Sequence, residues 1–405
     1  MTTAVPAFRR GAWHASPDTA PLPGPGRPTL ALVPPVVAHS DHAWWRGRRP
    51  SPAPPPAERR AVVRAALRLF RSGTVTVGTG TQSASAFRAA LWAHAGLPEA
   101  LTDRWSRMLC ESASARSVAG ADDALAFVAL PGNTFTCLDA VVEQIERSGA
   151  VWLRPSRREP WSAARLVAAL LEAGWPPDRI GLYPGERRLL AALVRRTDRQ
   201  VVFGGQDLAR SLSDRPGLTV HGAGRGCALV PEGVSAEAAA DWLAPLVAAD
   251  AGRFCSNVRT VLCEGEAEPL ARVLAARLDA LRTSREERRF PLAAFRVPGA
   301  AERAAGTVTD RIRPGDRLLT ERPTTEPAVD GGGYALPRLV LADTAGTPER
   351  FHPLIGHEVP YPSVTVLRVT DAALRSAVGA QSLFVHRYPE SAATSAPGPP
   401  PQGDR

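Results

Sequence analysis

Cys255 is the residue whose type and setting could do chemistry. It stands in "AGRFCSNVRTVLC" (251–263), after a Gly-Arg-Phe turn and ahead of the apolar run Val258 to Leu262. A thiol at the mouth of a strand can be a nucleophile when other residues supply a base, an oxyanion donor and an acceptor. The competing assignment is packing, because a free cysteine buries like a small hydrophobe. Cys110, Cys137, Cys227 and Cys263 lie in apolar runs and are assigned to packing. Five cysteines at irregular spacing make no disulfide framework. No Cys-x-x-Cys pair or His cluster has ligand spacing, so no metal is expected. Reduced thiols place the chain in the cytoplasm.

The elements that must hold such a thiol are legible in the periodicity. "AERRAVVRAALRLFRSG" is a helix with Val63, Leu67 and Phe70 on one face and Gly73 as its stop. Two more helices run through 84–118. From about 124 the chain alternates: "ALAFVAL", "AVWLRP", "RIGLYPG" and "QVVFGG" read as strands. Between them "CLDAVVEQIERSG", "WSAARLVAALLEAG" and "ERRLLAALVRRT" read as helices. "DLARSL", "LTVHG" and "CALV" continue the series. This pattern predicts an α/β fold with a doubly wound, mostly parallel sheet, whose ligands bind beyond the carboxyl ends of the strands. After the helix "SAEAAADWLAPLVAAD" and the Cys255 stretch comes the helix "EPLARVLAARLDAL". Residues 283–337 read as irregular, and "RLVLADT" and "SVTVLRV" as the last strands.

Charge separates the ends from the body. The net charge is +9, and all 49 basic residues are Arg. Residues 1–71 carry eleven Arg against Asp18, Asp41 and Glu58, in a Pro-rich setting. Residues 1–56 therefore read as an extended, flexible arm with solvated charge. The near-neutral remainder does not suit nucleic acid. "TLALVPPVVA" is too short and Pro-broken to cross a membrane. Residues 390–405 are Ser, Pro and Gly without pattern and read as a disordered tail.

Taken in order, the motifs between "VALPGNTFTC" and "HEVPYPSVTV" resemble the aldehyde dehydrogenase superfamily. Within it they resemble its acyl-thioester reductases, such as the fatty-acid reductases of bacterial bioluminescence. The resemblance makes Cys255 the nucleophile and Asn133 of "LPGN" the amide donor to the reacting carbonyl oxygen. "WLRPSRREP" puts Arg154 where the family has a Lys on the adenosine ribose, with Ser156 beside it; an Arg there favours a 2′-phosphate. Gly185 of "GLYPG" and Gly204, Gly205 and Gln206 of "VVFGGQ" stand at the family's next cofactor landmarks. A pyrophosphate would lie against the latter three. "GAGRGC" at 222–227 lacks the spacing of a dinucleotide fingerprint. His221 occupies the place of the family's general-base Glu, 34 residues ahead of Cys255. Glu358 stands where a Glu grips the nicotinamide ribose.

The resemblance implies a cofactor, NADP or NAD, and a small-molecule acyl thioester or aldehyde as substrate. An acyl carrier protein could bring the acyl group, and the family assembles as homo-oligomers. With His221 in the base position, the reading is reduction of an acyl thioester to an aldehyde through a Cys255 thioester. Two alternatives stand beside it: oxidation of an aldehyde to an acid, and a non-catalytic binding relative. The expected units are a nicotinamide-binding α/β domain over 57–250 and an α/β catalytic domain over 251–389. Because 47 residues follow Glu358, the second is expected to be shortened at its carboxyl end.

Overall fold

The computed structural model describes residues 4–47, 51–116, 122–204, 217–343, 352–369 and 371–389. Its first sheet has seven strands in the order 218–221, 199–203, 125–129, 150–154, 180–182, 7–9 and 12–14. The first five are mutually parallel and the last two antiparallel. Side chains of Leu125–Ala129 alternate between two cores. Ala126 and Val128 face helices 56–72, 138–147 and 161–172, while Leu125, Phe127 and Ala129 face helices 35–47 and 187–194. Both faces are thus covered, which is why this strand reads as an unbroken apolar run. The α/β, doubly wound expectation holds.

Helix Trp161–Glu172 is buried nearly all round, and Arg165 lies wholly inside with it. That guanidinium donates to the carbonyls of Phe70, Leu69 and Gly73 and to Gln82. It so satisfies the free carbonyls at the end of helix 56–72.

The extended arm expected over 1–56 is folded over residues 4–47. Strand Ala7–Arg9 pairs with Ile180–Leu182, and Phe8 is 2% exposed. Arg9 and Arg10 both reach the buried carboxylate of Asp41, which also accepts the Tyr183 hydroxyl. The prolines and arginines masked this because the strands are three residues long, too short to show an alternation.

The second sheet runs 317–318, 338–341, 363–368, 258–263, 226–230 and 385–387. All neighbours are parallel except the 317–318 edge. Helices 236–248 and 267–279 pack on it. Gly226–Val230, read above as continuing the first series, belongs to this sheet; residues 222–225 are the crossing between the two. Helix Ala300–Thr309, inside the segment read as irregular, and strand Val385–Arg387 were not anticipated. The tail at 390–405 lies outside the described residues. Among the described residues, no helix is long and apolar enough to cross a membrane.

Candidate active site

The turn that carries Cys255 is unusual in its backbone. Asp250 and Ala251 have φ of 54° and 57°, and Gly252 follows at 63°. Two non-glycine residues in the left-handed region cost roughly 1–2 kcal/mol each, so the surroundings must hold them. Trp105 Nε1 donates to Asp250 at 2.8 Å, and Arg104 pairs with the same carboxylate at 3.2 Å. Asn257 donates to the Leu246 and Ala249 carbonyls and accepts from the Phe254 amide at 2.8 Å. Arg259 donates to the Gly252 and Tyr361 carbonyls. The Trp105 ring also stacks on Phe254, 5.6 Å between centroids. The turn thereby presents Cys255 as the exposed cysteine; Cys227 and Cys263 are buried, Cys110 and Cys137 half-buried.

Three other segments close on that turn. Asn133, just beyond strand 125–129, donates its amide to the Arg253 carbonyl at 2.6 Å. Gly224 in the crossing lies so close that a Cβ there would collide with the Cys255 carbonyl. Glu358 accepts from the amides of Gly224 at 2.7 Å and Arg225 at 3.0 Å. Though the residue is exposed, desolvation in the cleft pushes the Cys255 thiol above its usual value, and the Glu358 charge adds to this. Burial brings the Arg259 guanidinium down to about 10, with Glu358 opposing. Cys255, Asn133 and Glu358 are therefore brought together.

The remaining residues singled out in the sequence divide. Arg154 lies at the end of its strand and donates to the Gly185 carbonyl at 2.7 Å. Ser156 accepts from the Arg158 amide at 3.2 Å and lies so close to Gly132 that a Cβ there would collide with it. Gly204 bonds the His221 carbonyl at 3.0 Å. These loops all leave the carboxyl ends of parallel strands, and Arg154 Nε is buried there without a partner. An orphaned donor among strand ends fits a dinucleotide. Gly205 and Gln206 lie outside the described residues.

His221 closes its strand at the edge of the site. Its ring is exposed at the strand end and stacks on Phe203, 4.6 Å between centroids, and no bond to Cys255 is present among the described residues. Desolvation lowers its pKa, opposed by Glu143.

Contributors that went unnoticed in the sequence include Trp105, Asp250, Arg253, Asn257, Arg259 and His386. Nε2 of His386 lies 3.2 Å from the Ser256 carbonyl. Asp250, Arg253, Asn257 and Arg259 stand within five places of the cysteine and could have been found; Trp105 and His386 come from remote elements.

A profile described as the Aldehyde dehydrogenase family matches residues 135–372. An NAD-dependent aldehyde dehydrogenase of Sinorhizobium meliloti superposes with a TM-score of 0.75 at 17% identity, over 97% of this chain and 84% of that one. A mutant indole-3-acetaldehyde dehydrogenase of Pseudomonas syringae, in complex with NAD+ and IAA, gives 0.74 at 17% identity, over 96% and 85%. An aldehyde-dehydrogenase-like protein of Sinorhizobium fredii is 41% identical over 76 residues, which span 18% of this chain and 15% of that relative.

Proposed function

The chain belongs to the aldehyde dehydrogenase family, and from this we propose that it oxidises an aldehyde with a nicotinamide dinucleotide through a thioester on Cys255. The carrying observation is the exposed thiol on a turn whose preceding carbonyl is bonded by Asn133.

The Cys255 sulfur loses its proton and attacks the aldehyde carbon, forming the C–S bond while the carbonyl oxygen takes the negative charge. Asn133 has a second amide hydrogen for that oxygen, and the Cys255 backbone amide is the other donor. As the oxygen re-forms its double bond, hydride leaves the carbon. A bound dinucleotide would accept that hydride. Water then cleaves the acyl thioester, giving the acid and the free thiol. Arg154, Ser156, Gly185 and Gly204 would hold the dinucleotide. Glu358 uses one oxygen on the crossing segment, which leaves its other oxygen for a ribose.

Reduction of an acyl thioester is the second reading: by the sequence resemblance His221 stands where the family keeps its water-activating carboxylate, and its ring stacks on Phe203. The two readings separate in one absorbance assay. We expect the reduced cofactor to accumulate when an aldehyde and NAD or NADP are supplied. Consumption of reduced cofactor with an acyl-CoA, without aldehyde oxidation, would select the reductase. Cys255→Ala should abolish either reaction while cofactor binding stays within a few-fold; an active variant would remove the basis of both.

A further inference from the structure

Among the described residues, almost nothing pairs the buried cation of Arg253. It is 7% exposed. Its Nε is sealed from solvent without a partner, and among the described residues Nη1 reaches only the Asn133 carbonyl, at a long 3.5 Å. Among the described residues no carboxylate makes an ion pair with it. The Phe295 ring lies 5.9 Å from its guanidinium carbon. Burial, together with the like charge of Arg158, brings it down to about 10.

Burial alone does not force this poverty. Arg165, at 0% exposure, makes five hydrogen bonds to carbonyl and amide oxygens. Arg259, two strand positions beyond the turn, has two backbone carbonyls and the Glu358 charge. An unmatched guanidinium carries a desolvation penalty that nothing offsets. Here that cost falls two residues from the exposed thiol, on the residue whose carbonyl takes the Asn133 amide.

We propose that Arg253 recognises an anionic group on the substrate, and that the aldehyde is one carrying a carboxylate on a short chain. This rests on the aldehyde-oxidising reading above. A carboxylate fits the planar guanidinium in two parallel bonds and supplies the charge the fold withholds. The Cα atoms of Arg253 and Cys255 lie at most about 7 Å apart, and both side chains leave that one turn, so short-chain substrates are the ones to test. A phosphate shares this chemistry, and the experiment distinguishes the two.

The test compares 4-oxobutanoate with butanal in wild type, Arg253→Met and Arg253→Lys. A hydrogen bond to a charged group is worth about 1.5–3 kcal/mol, so wild type should favour 4-oxobutanoate by about 10–150-fold in kcat/KM. In Arg253→Met the ratio should fall toward one, and Arg253→Lys should keep part of it. Succinate, which cannot react, should raise the melting temperature of wild type and not of Arg253→Met. Without an anion, Arg253→Met should melt at or above wild type, because it removes an unmatched buried charge. A ratio near one in wild type, or one retained in Arg253→Met, overturns the proposal. A larger melting shift with inorganic phosphate than with succinate overturns the carboxylate assignment, and a destabilised Arg253→Met shows a structural cation. If neither aldehyde is oxidised the proposed function fails, and the succinate shift alone then decides for or against Arg253.

Discussion

At the residue scale the Cys255 thiol and the Glu358 carboxylate act on one another. Desolvation raises the thiol above its usual value, and the carboxylate adds to this by disfavouring the thiolate. Removing that charge should lower the thiol's pKa and raise the thiolate fraction near pH 8. Glu358→Gln should therefore react faster with iodoacetamide at pH 8 than wild type, with the reactivity profile displaced to lower pH. The gain should vanish well above the thiol's pKa, where both proteins are ionised. Alkylation followed by mass spectrometry of Cys255 reads this directly, and an unshifted profile would mean that Glu358 exerts no field on the sulfur. Asn133 works differently. Its amide already joins the two halves of the site in the free protein, and its second amide hydrogen is the one proposed for the oxyanion.

At the element scale, helix Trp161–Glu172 shows how burial of a whole helix creates a titrating group. Glu159 sits just ahead of it, 8% exposed, and accepts the Ser162 amide at 2.9 Å. Burial raises its carboxyl from the ordinary 4.5 to about 7. The folded protein thus keeps a proton that the unfolded chain has released over that interval, and stability is lost as pH rises through it. At 1.36 kcal/mol per pKa unit, the loss approaches roughly 3 kcal/mol. A neutral Gln at 159 still offers an amide oxygen to Ser162. Glu159→Gln should match wild type in urea unfolding at pH 4 and exceed it by up to about 3 kcal/mol at pH 8. Parallel pH profiles for the two proteins would exclude a raised Glu159.

At the scale of the whole molecule, the amino-terminal segment is part of the first sheet rather than an appendage. Removing residues 1–47 would expose the Ile180–Leu182 strand edge and leave Tyr183 without the Asp41 carboxylate. It would also strip away Phe8, Leu22 and Leu30, each large buried side chain being worth about 1.5–3 kcal/mol. An unpaired edge of this kind invites aggregation. The shortened chain should be recovered mainly in the insoluble fraction, and what stays soluble should melt well below the full protein. A soluble product with an unchanged melting temperature would show that residues 4–47 contribute nothing to the fold.

Much of the architecture followed from local pattern alone. The strand and helix series from 124 to 203 was legible because periodicity is a property of consecutive residues, and Gly73 ended its helix as expected. The order of motifs also marked Cys255, Asn133 and Glu358, which the fold places around one turn. Tertiary structure decided the rest. Only the chain's crossing shows that Gly226–Val230 pairs with Val258–Cys263 rather than with the first sheet. The spacing of His221 from Cys255 suggested a base, yet spacing carries no direction, and the stacking of its ring on Phe203 is seen only in the fold. The pairs that build the site join residues far apart in sequence: Asn133 with Arg253, 120 positions apart, and Gly224 with Glu358, 134 apart. Whether a buried arginine is matched or left unmatched depends on such remote neighbours, so the state of Arg253 could be read only from the folded chain.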